Sequence, residues 1–339
     1  MMDTRVRDWS TEPGQGDVRH TYRSLGISVT RLALAFMAVW ILLFAIQHWL
    51  PFVQNGGSVV GQIKYQMAAG GRLFSAADRK RFFMFGNSKT LAGLNPDIFD
   101  HEFGDHAQMV NLAIPGTEMF VDLLEKALLA GTSPTHILLQ SLPKRLEEET
   151  VWSTIKDNKA MINLIFPFRN YVRDAIIFVF EAGHPRNMAG HYRSNAEQVA
   201  QLIADRGYYF IKSQSRYPDD RLPADYSLPT DQPKVVRGRS VDTDAPELLR
   251  LYRLAEQYDF NILLVPTVFR RGEYAAANLP EDALTAALQP FRRISVVGPA
   301  YLLYEPEYFS DPIHLNPNGA RRYSTELAGL VRQTIEKAP

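Results

Sequence analysis

Short apolar runs alternating with amphipathic stretches predict an α/β domain on a parallel sheet, set behind one apolar N-terminal helix. Three observations carry that expectation. Strand-like runs recur with helical periodicity between them, Gly and Pro fall at their boundaries, and a long stretch near the N-terminus holds no charge. With 339 residues and 46% hydrophobic content the chain is long enough to bury a full α/β core. Lys+Arg and Asp+Glu both number 37, so no charge excess argues for nucleic acid as a partner.

Residues 1–31 form a polar segment carrying Arg5, Arg7, Arg19, Arg23 and Arg31. The apolar run from Leu32 to Val53 follows, and no Asp, Glu, Lys or Arg occurs between Arg31 and Lys64. About 20 such residues span a bilayer at ~1.5 Å per residue. Trp40 and Trp49 suit the membrane interfaces. A buried core helix would show a polar face, which this run lacks. The arginine bias puts the N-terminus in the cytoplasm and the main domain on the other side, the periplasm in a cell with two membranes. The polar segment is too long for a cleaved leader, so a permanent single-pass anchor is expected, with residues 54–80 as a linker. The absence of cysteine permits an oxidising compartment.

The domain is expected to occupy residues 81–339. Phe82–Phe85 reads as its first strand and Gln108–Ile114 as its second, closed by Pro115-Gly116. An amphipathic helix follows, with Phe120, Leu123, Leu124, Ala127 and Leu128 on one face and Gly131 as its stop. His136–Gln140 is the third strand. A helix after Pro246 leads to Asn261–Val265, and Glu281–Leu288 leads to Ile294–Val297. Apolar strands separated by helices belong to a parallel sheet buried on both faces, where ligands bind beyond the carboxyl ends of the strands. Residues 142–245 break the alternation; they are aromatic and basic, and Tyr217 to Pro233 is proline-rich. A helical insertion with a surface loop, or a cap over the site, fits that composition.

Ser88 in Gly86-Asn87-Ser88-Lys89-Thr90 follows the first strand, and Asp311-Pro312-Ile313-His314 precedes the last helix. A serine hydroxyl becomes a nucleophile when an imidazole takes its proton and a carboxylate fixes that imidazole. Asp-x-x-His spacing alone selects nothing, since Asp17 and His20 share it, as do Glu181 and His184 with Glu. Position selects Asp311 and His314. Asn316 and Pro317 fit the N-cap and first turn of the final helix, which would hold the loop rigidly. Gly116, lacking a Cβ, suits an oxyanion donor through its backbone N–H, and a helix starting near Ser88 would favour negative charge there. His184 and His191 with Glu181 have no standard ligand spacing, so neither metal nor cofactor is expected.

Gly86-Asn87-Ser88, Gly116 and Asp311-x-x-His314 resemble the blocks of the SGNH (GDSL-type) hydrolase superfamily. The chain is similar in particular to its membrane-anchored branch, in which Gly-x-Ser-[Lys/Arg]-Thr is followed by Gly-Leu-x-Pro-x-x-Phe, here Gly93-Leu94-Asn95-Pro96-Asp97-Ile98-Phe99. The likeness covers roughly residues 80–141 and 246–335. It implies a three-layer flavodoxin-like fold, Ser88 as nucleophile, His314 as base, Asp311 as its orienter, and the Ser88 and Gly116 amides as oxyanion donors. The third block departs from the pattern: Gln140 and Ser141 stand where the family has an Asn donor, and are the candidate oxyanion donors there, Gln140 through its amide and Ser141 through its hydroxyl. The resemblance implies an O-acetyltransferase or O-acetylesterase on an extracytoplasmic polysaccharide. A multi-spanning membrane O-acyltransferase and polysaccharide synthase components would then be its partners. The alternative is a non-catalytic anchored component that binds polymer or holds an assembly together.

Overall fold

The computed structural model describes residues 15–53, 56–75, 79–104, 106–115, 120–144, 169–210, 215–227, 234–235, 239–275 and 282–337. Helix α1 (Gln15–Trp49) contains the apolar run. Its part Ser28–Trp49, 22 residues, is long and apolar enough to cross a membrane, and Leu32, Phe36, Ile41 and Phe44 are exposed along it. The helix stops short of the expected Val53 boundary. Pro51 disfavours the helical conformation at Leu50, and Pro51–Val53 forms a separate 3-10 turn.

Residues 54–80, expected as a linker, instead hold helix α2 (Gly56–Gly70). Val59, Val60, Lys64 and Ala68 are buried on it, a spacing that places them along one helical face. That face packs on α5 (Val121–Leu129) and on α7 (Met188–Ala204). Lys64 is fully buried, and its Nζ donates to the carbonyls of Asn111 and Gly207. Burial drives its pKa well below the ordinary lysine value.

Strands β1 (Lys80–Phe85), β2 (Ala107–Asn111), β3 (His136–Leu139), β5 (Asn261–Leu264) and β8 (Ile294–Val296) form one parallel sheet. Their order is β2-β1-β3-β5-β8. Each expected strand is present: β1 begins two residues earlier than its apolar run, while β2, β3, β5 and β8 end one to three residues before theirs. Alternate residues point to opposite faces. Phe83, Phe85, Ile137 and Leu139 meet α2, α5, α8 (Pro246–Tyr258) and α9 (Asp282–Leu288). Phe82, Met84, Leu138 and Leu263 meet the other layer, which includes α4 (Pro96–Phe103) and α10 (Pro317–Lys337). The winding direction reverses between β1 and β3, and doubly wound sheets open a crevice at that point beyond the strand ends.

The insertion contributes α6 (Arg169–Ala182) and α7, joined by a 3-10 turn. Just past α7, the Arg206 carbonyl accepts from the Asn111 N–H at 2.9 Å, so the insertion is stitched to the edge of β2. Its later part braces the opposite side of the site: the Leu222 N–H donates to the Phe309 carbonyl at 2.9 Å, and Ser215 Oγ donates to the Ser310 carbonyl at 2.5 Å. Two small parallel pairs complete the fold, β4 (Lys234–Val235) with β7 (Tyr274–Ala275) and β6 (Thr267–Arg270) with β9 (Tyr301–Tyr304).

Candidate active site

The chain leaves β1 through Gly86, where an added Cβ would lie 2.2 Å from Thr90 Oγ1. Only a residue without a side chain fits there. Asn87 then caps helix α3 (Ser88–Gly93), its side chain accepting from the Lys89 N–H at 3.0 Å, so Ser88 is the first residue of that helix. The far end of α3 is clamped by buried Asn111, whose Nδ2 donates to the carbonyls of Thr90 (3.1 Å), Leu91 (3.4 Å) and Leu94 (2.9 Å). Sequence reasoning passed over Asn111. The available signal was an amide directly after Met109-Val110 and before Leu112-Ala113, where a buried polar group must have partners.

The second half of the site comes from the loop before α10. Asn316 caps that helix by accepting from the Gly319 N–H at 2.9 Å, as its spacing predicted. Asp311 Oδ1 accepts from the Ile313 and His314 N–H groups, each at 2.8 Å. Its other oxygen, Oδ2, lies 2.7 Å from His314 Nδ1, and His314 Nε2 lies 2.9 Å from Ser88 Oγ. Residues 226 positions apart in the chain thus meet beyond the carboxyl ends of the sheet. Buried Arg270 steadies the loop from beneath, its Nε donating to the Pro312 carbonyl at 3.4 Å and its guanidinium stacked on the Tyr226 ring. It is a positioning residue that sequence reasoning did not single out.

Partial burial pushes the Asp311 carboxyl up, but the His314 hydrogen bond and the two backbone N–H groups outweigh it and hold the pKa below the ordinary value. The carboxylate therefore stays ionised and accepts from Nδ1–H, which leaves Nε2 as an acceptor for the Ser88 hydroxyl proton. Lys89, beside Ser88, lies over the Phe269 ring at 5.1 Å. Burial lowers its pKa against the opposing pull of Glu273 and Asp311.

A cleft lies at the ends of β1 and β3, lined by Gly86, Asn87, Phe120, Gln140 and Ser141. Gln140 reaches under α3 rather than lying loose in it. Thr90 Oγ1 donates to its Oε1 at 3.0 Å, and its Nε2 donates to the Tyr323 hydroxyl at 3.3 Å. One carboxamide N–H is thereby committed, leaving a second for any oxyanion role. Ser141 is exposed at the rim. Gly116 lies outside the described residues. In the insertion, His184 caps the 3-10 turn by accepting from the Arg186 N–H at 3.2 Å, and His191 Nε2 lies 3.3 Å from Glu181 Oε2. No family model, curated protein or solved structure matches the chain, so its functional reading rests on this geometry and on the residue pattern around it.

Proposed function

We propose that the chain is a membrane-anchored, serine-dependent O-acetyltransferase or O-acetylesterase of the SGNH type, acting on an extracytoplasmic polysaccharide. The observation that carries this reading is the continuous relay from Asp311 through His314 to Ser88, placed where a doubly wound sheet presents ligands. Ser88 Oγ attacks the acyl carbonyl carbon while His314 Nε2 takes its proton. The departing alcohol oxygen collects that proton from His314 as the carbon–oxygen bond breaks. A water or a sugar hydroxyl then gives its proton to His314 and attacks the acyl-serine carbonyl; the carbon–Ser88 oxygen bond breaks and His314 returns the proton to Ser88 Oγ, so the same residues serve hydrolysis or transfer. The N–H groups at the start of α3 favour the oxyanion, with Gly116 and Gln140 as further donors.

The apolar helix and the arginine bias support an N-terminus in the cytoplasm and a catalytic domain beyond the inner membrane. A multi-spanning membrane O-acyltransferase would supply the acyl group to such a site. A second reading, a non-catalytic polymer-binding or assembly component, is favoured by one observation: the residue at the third donor position is already tied to Thr90 and Tyr323. A labelled acetyl ester given to the full chain, with and without an oligosaccharide acceptor, separates these outcomes. Label on the acceptor marks a transferase and free labelled acetate an esterase. Failure of a fluorophosphonate probe to label Ser88 would leave the non-catalytic component.

A further inference from the structure

We propose that helix α6 lies on the bilayer surface, with its apolar stripe immersed at the headgroup level, making the insertion a second membrane contact beside α1. The proposal rests on the anchored reading of α1 but concerns a different part of the chain. One face of α6 is buried, through Tyr171, Asp174, Phe178 and Ala182. The opposite face carries Val172, Ile176, Val179 and Phe180, exposed by 42%, 55%, 49% and 79%. Their spacing is helical, so they form one stripe. The neighbouring helix α7 exposes mostly polar or small positions instead, among them Arg193, Ser194, Glu197 and Gln201. Clustered apolar exposure of this kind marks an interaction surface.

The bilayer is the occupant because of where α6 begins. The Tyr171 hydroxyl donates to the Leu50 carbonyl at 3.1 Å, one residue past the end of α1. Asn195 Nδ2 donates to the Phe52 carbonyl at 2.9 Å, and the Phe52 and Tyr192 rings meet edge to face at 5.4 Å. At ~1.5 Å per residue the span Ser28–Trp49 covers about the thickness of a hydrocarbon core, so Leu50 emerges among the headgroups. Tyr171 is tied to that level, and Val172 is its neighbour. Phe180 lies only ~12 Å further along the helix axis. The stripe is thus continuous with the exit of the span.

The chain holds no cysteine, so single labels are simple to place. The full chain is reconstituted in phosphatidylethanolamine–phosphatidylglycerol vesicles with an environment-sensitive fluorophore at Ile176→Cys or Phe180→Cys. Arg193→Cys serves as the polar-face control and Leu42→Cys as the span control. Labels at 176 and 180 should be quenched by lipids brominated near the headgroups and shielded from iodide, while 193 shows the reverse. The proposal is overturned if 176 and 180 behave like 193 while 42 is quenched by lipid. It is equally overturned if their shielding persists in detergent and scales with protein concentration, which would identify a second copy as the occupant. Should the label at 42 also escape lipid quenching, the anchored reading falls and takes this proposal with it.

Discussion

Replacing Asp311 with Asn tests the relay with little disturbance of its surroundings, because the two carboxylate oxygens have separate duties. Oδ1 accepts both backbone N–H groups, and Oδ2 faces His314 Nδ1. The variant's amide oxygen can take the place of Oδ1 and keep the loop folded. Its NH₂ then donates toward Nδ1, which forces the histidine proton onto Nε2, pointing at Ser88. An imidazole in that tautomer cannot accept the serine proton. The same exchange in a serine protease lowers kcat by about 10⁴, or about 5 kcal/mol in the barrier. Stability should change by no more than about 1 kcal/mol, since a hydrogen bond survives at every position. The assay is kcat and KM on an acetyl ester alongside thermal unfolding. An Asp311→Asn enzyme that keeps kcat within tenfold of the parent would falsify the tautomer argument. A large loss of melting temperature would place the role of Asp311 in the loop rather than in the chemistry.

Three further outcomes follow from the same geometry. Gln140→Ala should raise the barrier by about 2.7–4 kcal/mol if its second N–H meets the oxyanion, with Ser141→Ala as the control for the rim hydroxyl. It should also destabilise by about 1–3 kcal/mol by stripping partners from Thr90 and Tyr323, and a stability loss with unchanged kcat makes Gln140 a brace only. His136 is buried at the start of β3, and burial followed by the Lys80 charge lowers its imidazole pKa from 6.5 to about 4. The unfolded chain therefore binds more protons between those values. Stability is fully present above pH 6.5 and falls by about 3 kcal/mol as pH drops toward 4, and denaturant titrations of His136→Gln should show a flatter slope across that window. Lys64→Met leaves the Asn111 and Gly207 carbonyls without their donor. Chemical denaturation should register a loss of about 1–3 kcal/mol for each, and an unchanged midpoint would mean that other donors replace the amine.

The sheet was legible because its strands are buried on both faces, so Phe82–Phe85 and Ile262–Leu264 stand out as unbroken apolar runs. The relay was legible for a different reason. Its residues sit at element boundaries, after a strand and before a capped helix, where loops carry chemistry. Helix α2 was not, because Gly56-Gly57-Ser58 and Gly70-Gly71 resemble a flexible tether and a lone lysine at position 64 suggests solvent. Only the carbonyls waiting at Asn111 and Gly207, distant in sequence, explain why that lysine turns inward. Pairing partners are similarly invisible to periodicity. Nothing in Thr267–Arg270 announces that it will lie beside Tyr301–Tyr304. The Gln140 network needed both α3 and α10 in place before its amide had anything to bond.

On the proposed function, the buried foot of α2 changes how the domain would meet its polymer. Were residues 54–80 a loose tether, their 27 residues would let the domain roam over a radius of roughly 30 Å. Lys64 and its neighbours remove that freedom. With α1 in a membrane, as proposed, the domain would stand at one height above it with one side turned toward it, like a reading head mounted over a moving tape. Polymer segments passing at that height would be sampled at high local concentration, and segments further out would never be reached. On the proposed function, the pattern of acylation along the polymer would then record how the strand is fed past the site.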